Sequence, residues 1–459
     1  MTEQILVSFE GTNSGTGELT WGQLDIWAAM QRQQASLVIG GAYPLPPGTT
    51  VQDVAADLKF LMCRHDSLRT RLRFAADGRP QQVVSRSGEV PLKVIDPGDA
   101  DPAEVAAALY AHYEEKVFDY VREWPVQWAV ITRGTAVTHL VTAISHLSID
   151  GMGAMVLLAD LAGRDPATGL ANEPVSALQP LELAGLQRGP AARRQNKAAL
   201  RYWERTLRSI PARRFADSAD QRSPRYWQAT YDSPASYLAI QMLAARTQSS
   251  TSAVLLAAFA VVLTEVAASS PAVIQVVVDN RFRPDLAELA SPMCTSIPCV
   301  IDVADAAFDD VVAKASRTAL NAYKLAYYNP VERAELEARI NRERGEAVDV
   351  SCFMNDRRND SRAEPVDGQL PVADDVRAAL ARSALTWGWR RHRPSDKCFL
   401  SLNNVPGTLY FDLYADTHYL SPADMEACLR GLEATVVGAA LDPAADAAGR
   451  PAARAFLTT

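Results

Sequence analysis

The 459-residue chain is short of positive charge: 46 Lys and Arg stand against 54 Asp and Glu for a formal charge of −8, and only seven of those cations are lysine. A protein that holds DNA or RNA by its phosphates shows a basic excess or a basic block. Neither exists here, so no nucleic-acid partner is expected. The six cysteines, Cys63, Cys294, Cys299, Cys352, Cys398 and Cys428, fall with no CxxC spacing and no adjacent histidine, which gives neither a zinc site nor a disulfide framework. They read as reduced packing thiols, and no metal is expected. Long apolar runs are missing too. The richest, Ala253 to Val262, soon meets Thr264 and Glu265 and falls well short of the roughly 20 residues that a membrane span needs. It reads as a buried core helix, with no membrane partner. The opening MTEQILVSFEGTNSG lacks the basic lead, apolar core and small-residue cleavage site of a secretory signal, so a cytoplasmic location is expected.

What is present is an ordinary globular balance, 48% hydrophobic, long enough for two or three compact units. Val51, Val54, Ala55, Leu58, Leu61 and Met62 recur at helical spacing behind Thr49 and Thr50, either of which can cap the helix. Leu72 and Phe74, then a turn at residues 76 to 80, then Gln82-Val83-Val84, give a hairpin. A helix is expected over 102 to 120, strands over 124 to 131 and 137 to 144, and a helix after Gly153. Residues 164 to 190 lose periodicity and contain Pro166, Pro174, Pro180 and Pro190, which marks a connection between units. Beyond it, helices are expected near 191–208, 235–247, 251–267, 307–325, 330–343 and 421–438. Strands are expected near 273–278, 296–303, 348–354, 384–390, 397–403 and 408–415. Strands and helices mix in both halves without a regular βαβ repeat, so the fold class is α/β with two lobes, divided as 1–175 and 176–459.

The sharpest polar constellation is Ser145-His146-Leu147-Ser148-Ile149-Asp150-Gly151-Met152-Gly153, between an apolar strand and an apolar helix. Imidazole exchanges a proton near neutral pH, so His146 is a candidate base. Asp150 suits a turn fixed by backbone amides or an arginine, and Gly151 and Gly153 permit close backbone approach where a helix begins. The competing reading is a loop histidine beside a helix-capping aspartate.

A second segment, Arg64-His65-Asp66-Ser67-Leu68-Arg69-Thr70-Arg71-Leu72, resembles the RHExLRTxF segment of nonribosomal peptide synthetase condensation domains. Residues 19 to 27 resemble the family's SxAQxRLW segment, residues 145 to 151 its HHxxxDG motif, Tyr202-Trp203 its YW pair and residues 279 to 286 its NRxRPEL segment. Weaker echoes of GxFVNTLP and QDYPFE fall at 291–298 and 329–332. The motifs keep the family's order.

This resemblance implies two chloramphenicol-acetyltransferase-like lobes in a V, the active-site loop at their junction, and a tunnel entered from opposite ends by phosphopantetheine thioesters. No cofactor is bound permanently: phosphopantetheine comes as part of the substrate, on peptidyl or acyl carrier proteins in trans. It also implies that His146 is tied to chemistry and that Asp150 is a structural ion-pair partner of an arginine, with Arg281 preferred and Arg64 second. The expected reaction is amide formation between a carrier-bound acyl thioester and an amine, in secondary metabolism, by a free-standing enzyme. An ester-forming acyltransferase with an alcohol acceptor, and a non-catalytic module that recruits carrier or partner proteins, stay open. The chain departs from the family at Ser145, in place of the first motif histidine, and at Thr295, in place of an asparagine. Ser351, Asn355, Thr295 and Trp387 are weak candidates for lining the substrate tunnel. Trp387 has a rival reading in a half-buried strand with a solvated basic end, and His65 and His139 read as structural.

Overall fold

A computed structural model describes residues 2–134, 136–165, 168–169, 175–358 and 369–442. They form two compact units: Met1–Arg194 with Asp279–Cys294 and Asn329–Val331, and Gln195–Val278 with Thr295–Tyr328 and Glu332–Thr459. The boundary in the chain thus falls at 194/195 where the sequence suggested 175/176, and two later segments return to the first unit. Pro166 and Pro174 lie outside the described residues.

The first unit is built on a five-stranded sheet in the order Thr2–Glu10, Ser87–Ile95, Val126–Arg133, Ala136–Ile144, Ile39–Pro44. Its neighbours are antiparallel except for the central pair, Ser87–Ile95 and Val126–Arg133. Alternate residues of a strand face opposite sides, and here both sides are covered. Trp128 and Val130 pack with Val54, Leu58 and Leu61 of the helix Val51–Arg64. Ala129 and Ile131 pack with Ala106 and Tyr113 of the helix Pro102–Glu115. A strand buried on both faces becomes a nearly continuous apolar run, which is why Val126–Arg133 reads so clearly. Of the two candidate caps, Thr50 is the one used: its hydroxyl accepts from Asp53 N, while Asp53 accepts from Thr50 N at 2.9 Å. The Pro102 helix stops at Glu115, five residues short of the expected end, because Phe118 and Tyr120 turn inward to join Leu19, Met30 and Leu147. The expected hairpin joins Thr70–Phe74 to Pro80–Val84, and Gly15–Glu18 adds a third strand.

The second unit holds a seven-stranded sheet in the order Thr295–Ile301, Ala272–Val278, Cys352–Asp356, Cys398–Val405, Thr408–Asp416, Tyr226–Asp232, Ala384–Arg391. Only the two pairs that share Cys352–Asp356 are parallel. The helix Thr251–Val266 is apolar on all sides and lies in the core of this unit beside Pro234–Thr247, Phe308–Tyr323 and Pro422–Leu441. No single described helix is long and apolar enough to cross a membrane. All six cysteines are free thiols, and Cys299, Cys352, Cys398 and Cys428 are buried.

Candidate active site around His146

The strand Ala136–Ile144 delivers a short loop, residues 145 to 150, into the start of the helix Gly151–Ala162. Leu147 and Ile149 anchor the loop by burial. Asp150 is the N-cap: its Oδ1 accepts from Gly153 N at 2.8 Å, satisfying an amide with no intrahelical partner. The same carboxylate accepts from Arg281 at 2.7 and 3.0 Å and from the backbone amides of Met293 at 2.8 Å and Cys294 at 3.3 Å. Asp150 is therefore both a helix cap and an ion-pair partner, so the two readings of the sequence describe one residue.

Arg281 reaches this position from the returning segment 279–294. It also donates to Leu289 O at 2.9 Å and Ser291 O at 2.8 Å, and pairs with Asp279. Asn280, at φ 61°, turns the backbone between Asp279 and Arg281, a left-handed geometry that asparagine tolerates. Burial alone would push the Asp150 carboxyl up, but the charge and hydrogen bonds of Arg281, with the Met293 and Gly153 amides, hold it below the ordinary carboxylate range. For Asp279 burial wins, and its carboxyl is raised. Burial, with Asp150 and Asp279 close by, pushes the Cys294 thiol well up. Ligand atoms of Asp150, Asp279 and Cys294 converge within 4.8 Å. Arg281 already bonds both carboxylates and the thiol stays protonated, so this donor set does not suit a metal ion.

His146 is half-buried. Its backbone amide donates to Ser36 O at 3.4 Å, but Nδ1 is buried with no hydrogen-bond partner among the described residues. No carboxylate among the described residues pairs with the ring, and Asp150 is committed to Arg281. Nδ1 is thus available to a ligand.

Ser145 is fully buried. Its Oγ lies 2.7 Å from Tyr120 Oη and accepts from Leu147 N at 3.2 Å. The neighbouring Ser36 accepts from Phe118 N at 2.9 Å through its hydroxyl. Burial pushes the Tyr120 phenol up to about 12, so it stays a neutral donor or acceptor. Ser36 and Tyr120 were not singled out in the sequence, and no motif marks them. Removing the Tyr120 hydroxyl leaves Ser145 one partner short in a buried place. Tyr120→Phe is expected to cost about 1–2 kcal/mol in urea denaturation, and an unchanged midpoint would show that this hydroxyl pair does not secure the loop.

The other candidates are placed as follows. Gly153 sits in tight space: a Cβ there would meet Asp150 Oδ1 and Ile149 Cβ at 3.3 Å, so both would have to give slightly. Gly151, expected to serve the same purpose, has open space around it. Arg64 does not reach Asp150; with His65 it binds Asp160 Oδ2, each at 2.8 Å. His139 sits in its strand with Nδ1 3.1 Å from the Thr138 hydroxyl. Four candidates belong to the second unit. Ser351 donates to Asp349 at 2.5 Å, the Thr295 hydroxyl donates to Ala326 O, and Asn355 is half-buried opposite Ser401. Trp387 packs edge-on to Trp227 at 5.6 Å, in a strand whose exposure alternates along its length.

Comparison with known proteins adds to this geometry. Residues 23–367 match the family model described as Condensation domain. The nonribosomal peptide synthetase acrB of Aspergillus aculeatus is 27% identical over 169 residues, which is 37% of this chain and 10% of that protein. The chain thus spans only a small part of this relative's length. Among solved structures, the X-domain from teicoplanin biosynthesis superposes with a TM-score of 0.70 at 18% identity, over 97% of this chain and 98% of that one. A structure concerned with condensation-domain-mediated chain release from the enacyloxin polyketide synthase gives 0.68 at 20% identity, over 98% and 85%. At these identities the likeness establishes the fold.

Proposed function

We propose, from the premise that this chain belongs to the condensation domain family, that it transfers an acyl group from a carrier-bound phosphopantetheine thioester to an amine, forming an amide. The observation that carries this reading is the uncommitted imidazole of His146, on a loop held by the Asp150–Arg281 pair. The amine nitrogen attacks the thioester carbonyl and the carbonyl π electrons move to oxygen. The tetrahedral adduct then collapses, the C–S bond breaks and the thiolate leaves. His146 takes the proton that the amine loses and passes it to the departing sulfur. Bringing amine and thioester together contributes as well, since amines are already good nucleophiles. Ser145 is not an acyl carrier here: its hydroxyl is buried against Tyr120, with no base beside it.

The competing reading is a recruiter without chemistry. The teicoplanin X-domain, of the same fold, is also solved in a complex with OxyB, and Ser145 departs from the family motif. The experiment offers octanoyl thioesters, on a phosphopantetheinylated carrier protein and as the free pantetheine derivative, with a panel of amino acids and amines. Alcohols run in parallel, and products are read by mass spectrometry. An octanoyl amide is the expected product. Esters in place of amides would move the assignment to an alcohol acceptor. Tight carrier binding with no product from any acceptor would favour the recruiter.

A further inference from the structure

The helix Pro190–Ser209 buries Ala199, Trp203, Thr206 and Leu207 and exposes Lys197, Arg201 and Arg205. These three cations recur every four residues, which at 3.6 residues per turn sets them along one face over about 12 Å. The same helix carries Arg193 and Arg194 one turn earlier. Several other helical arginines on this chain are paired with acids one turn away, Arg333 with Glu337, Arg339 with Glu343, Arg377 with Asp374 and Arg430 with Glu426, while Arg32, Arg317 and Arg342 stand exposed and singly on their helices rather than in a row. Even Arg208, at the end of this helix, pairs with Glu204 and Glu343. No acidic side chain among the described residues pairs with Lys197, Arg201 or Arg205. Like charges at this spacing repel and weaken a helix, and the stripe runs against a net charge of −8. No ion pair among the described residues ties it to the fold.

We infer that this stripe is the docking face for an acidic helical surface on the carrier protein that brings the thioester. The inference rests on the reaction proposed above. A convex row of cations offers no cavity to enclose a free phosphate. It offers no exposed aromatic for stacking a nucleic-acid base either, and three to five charges over a few helical turns match another helix in length. Complementary charge of this kind speeds association and weakens with salt.

The probe is an acidic acyl carrier protein in its phosphopantetheinylated, acyl-free form, titrated at low and high ionic strength into the wild type and into K197E/R201E/R205E. The expected result is that the wild type binds and loses affinity with salt, while the triple variant binds at least tenfold more weakly with a flatter salt dependence. The charge-neutral K197Q/R201Q/R205Q should fall between them, and R201K/R205K should bind as the wild type does. Turnover of octanoyl-pantetheine should be equal in all four, which separates lost docking from lost fold. Equal carrier affinity in the wild type and both triple variants overturns the docking face. So does a stripe that binds a DNA duplex or anionic vesicles while the carrier affinity stays unchanged. Transfer from neither thioester by the wild type would instead overturn the proposed reaction, and the binding titration would still decide the surface.

Discussion

His146→Ala is expected to lower turnover by about 10² to 10⁴-fold, the usual worth of a positioned general base or about 3–5 kcal/mol of barrier, with the low end favoured because the acceptor is an amine. The same change should alter folding stability by no more than about 1 kcal/mol, since the imidazole is half-buried and makes no hydrogen bond that the fold depends on. The two readouts together make the test strict. Amide formation and thermal unfolding would be measured on one preparation. A variant that keeps full turnover removes His146 from the chemistry. A variant that unfolds well below the wild type would show the ring to be structural after all.

The opposite pattern is expected at Asp150 and Arg281. Their side chains are only 1% and 3% exposed, so removing Arg281 strands the Asp150 carboxylate out of water, and removing Asp150 leaves the buried guanidinium with Asp279 as its one acidic partner while also costing the helix its cap. Breaking a pair of this kind typically costs about 3–5 kcal/mol. Arg281→Met and Asp150→Ala should each lose that much in chemical denaturation, and the double variant should lose less than the sum. Activity should fall with folded fraction and loop order. If Asp150→Ala melts normally yet loses turnover as severely as His146→Ala, the aspartate has a chemical role and the structural assignment is wrong. Acid adds an independent check. The folded Asp150 carboxyl lies below its unfolded value of about 3.8, so its contribution is fully present above that pH and is lost as pH falls through the lower folded value. Asp150→Asn should erase this part of the acid dependence.

The sequence made some parts of the molecule plain and hid others, for physical reasons. Local periodicity exposed the helix Val51–Arg64 and its Thr50–Asp53 cap, because helix and cap are both written within four residues. It exposed Val126–Arg133 because burial on two faces leaves an unbroken apolar run. The strand Thr2–Glu10 was missed: it is mostly exposed, burying only Val7 and Phe9, and gives little alternation to detect. The loop itself was legible as His146 and Asp150. The choice of Arg281 over Arg64 came from the family resemblance, since nothing local to either arginine says which one travels to Asp150. The Ser36–Tyr120–Ser145 cluster had no signal, because the Ser145 hydroxyl meets the Tyr120 hydroxyl 25 residues away and the Ser36 carbonyl 109 residues away, and such separations leave no spacing rule. Nor can a sequence pattern announce that the amides of Met293 and Cys294 will complete the carboxylate shell.

The returning segment has a consequence for how the molecule is made. Arg281 follows Asp150 by 131 residues, which at about 5–20 residues per second is roughly 7–26 s of ribosomal elongation. For that interval the nascent first unit carries an aspartate at the start of a helix with no guanidinium to meet it, while the chain destined for the other unit is already emerging. The first unit is complete only once residue 331 has been made, and a fragment ending near residue 194 lacks Arg281 and the Met293 and Cys294 amides that hold Asp150. The first unit's last pieces, residues 279–294 and 329–331, are translated inside the stretch that builds the second unit, so the two units are interleaved in the chain.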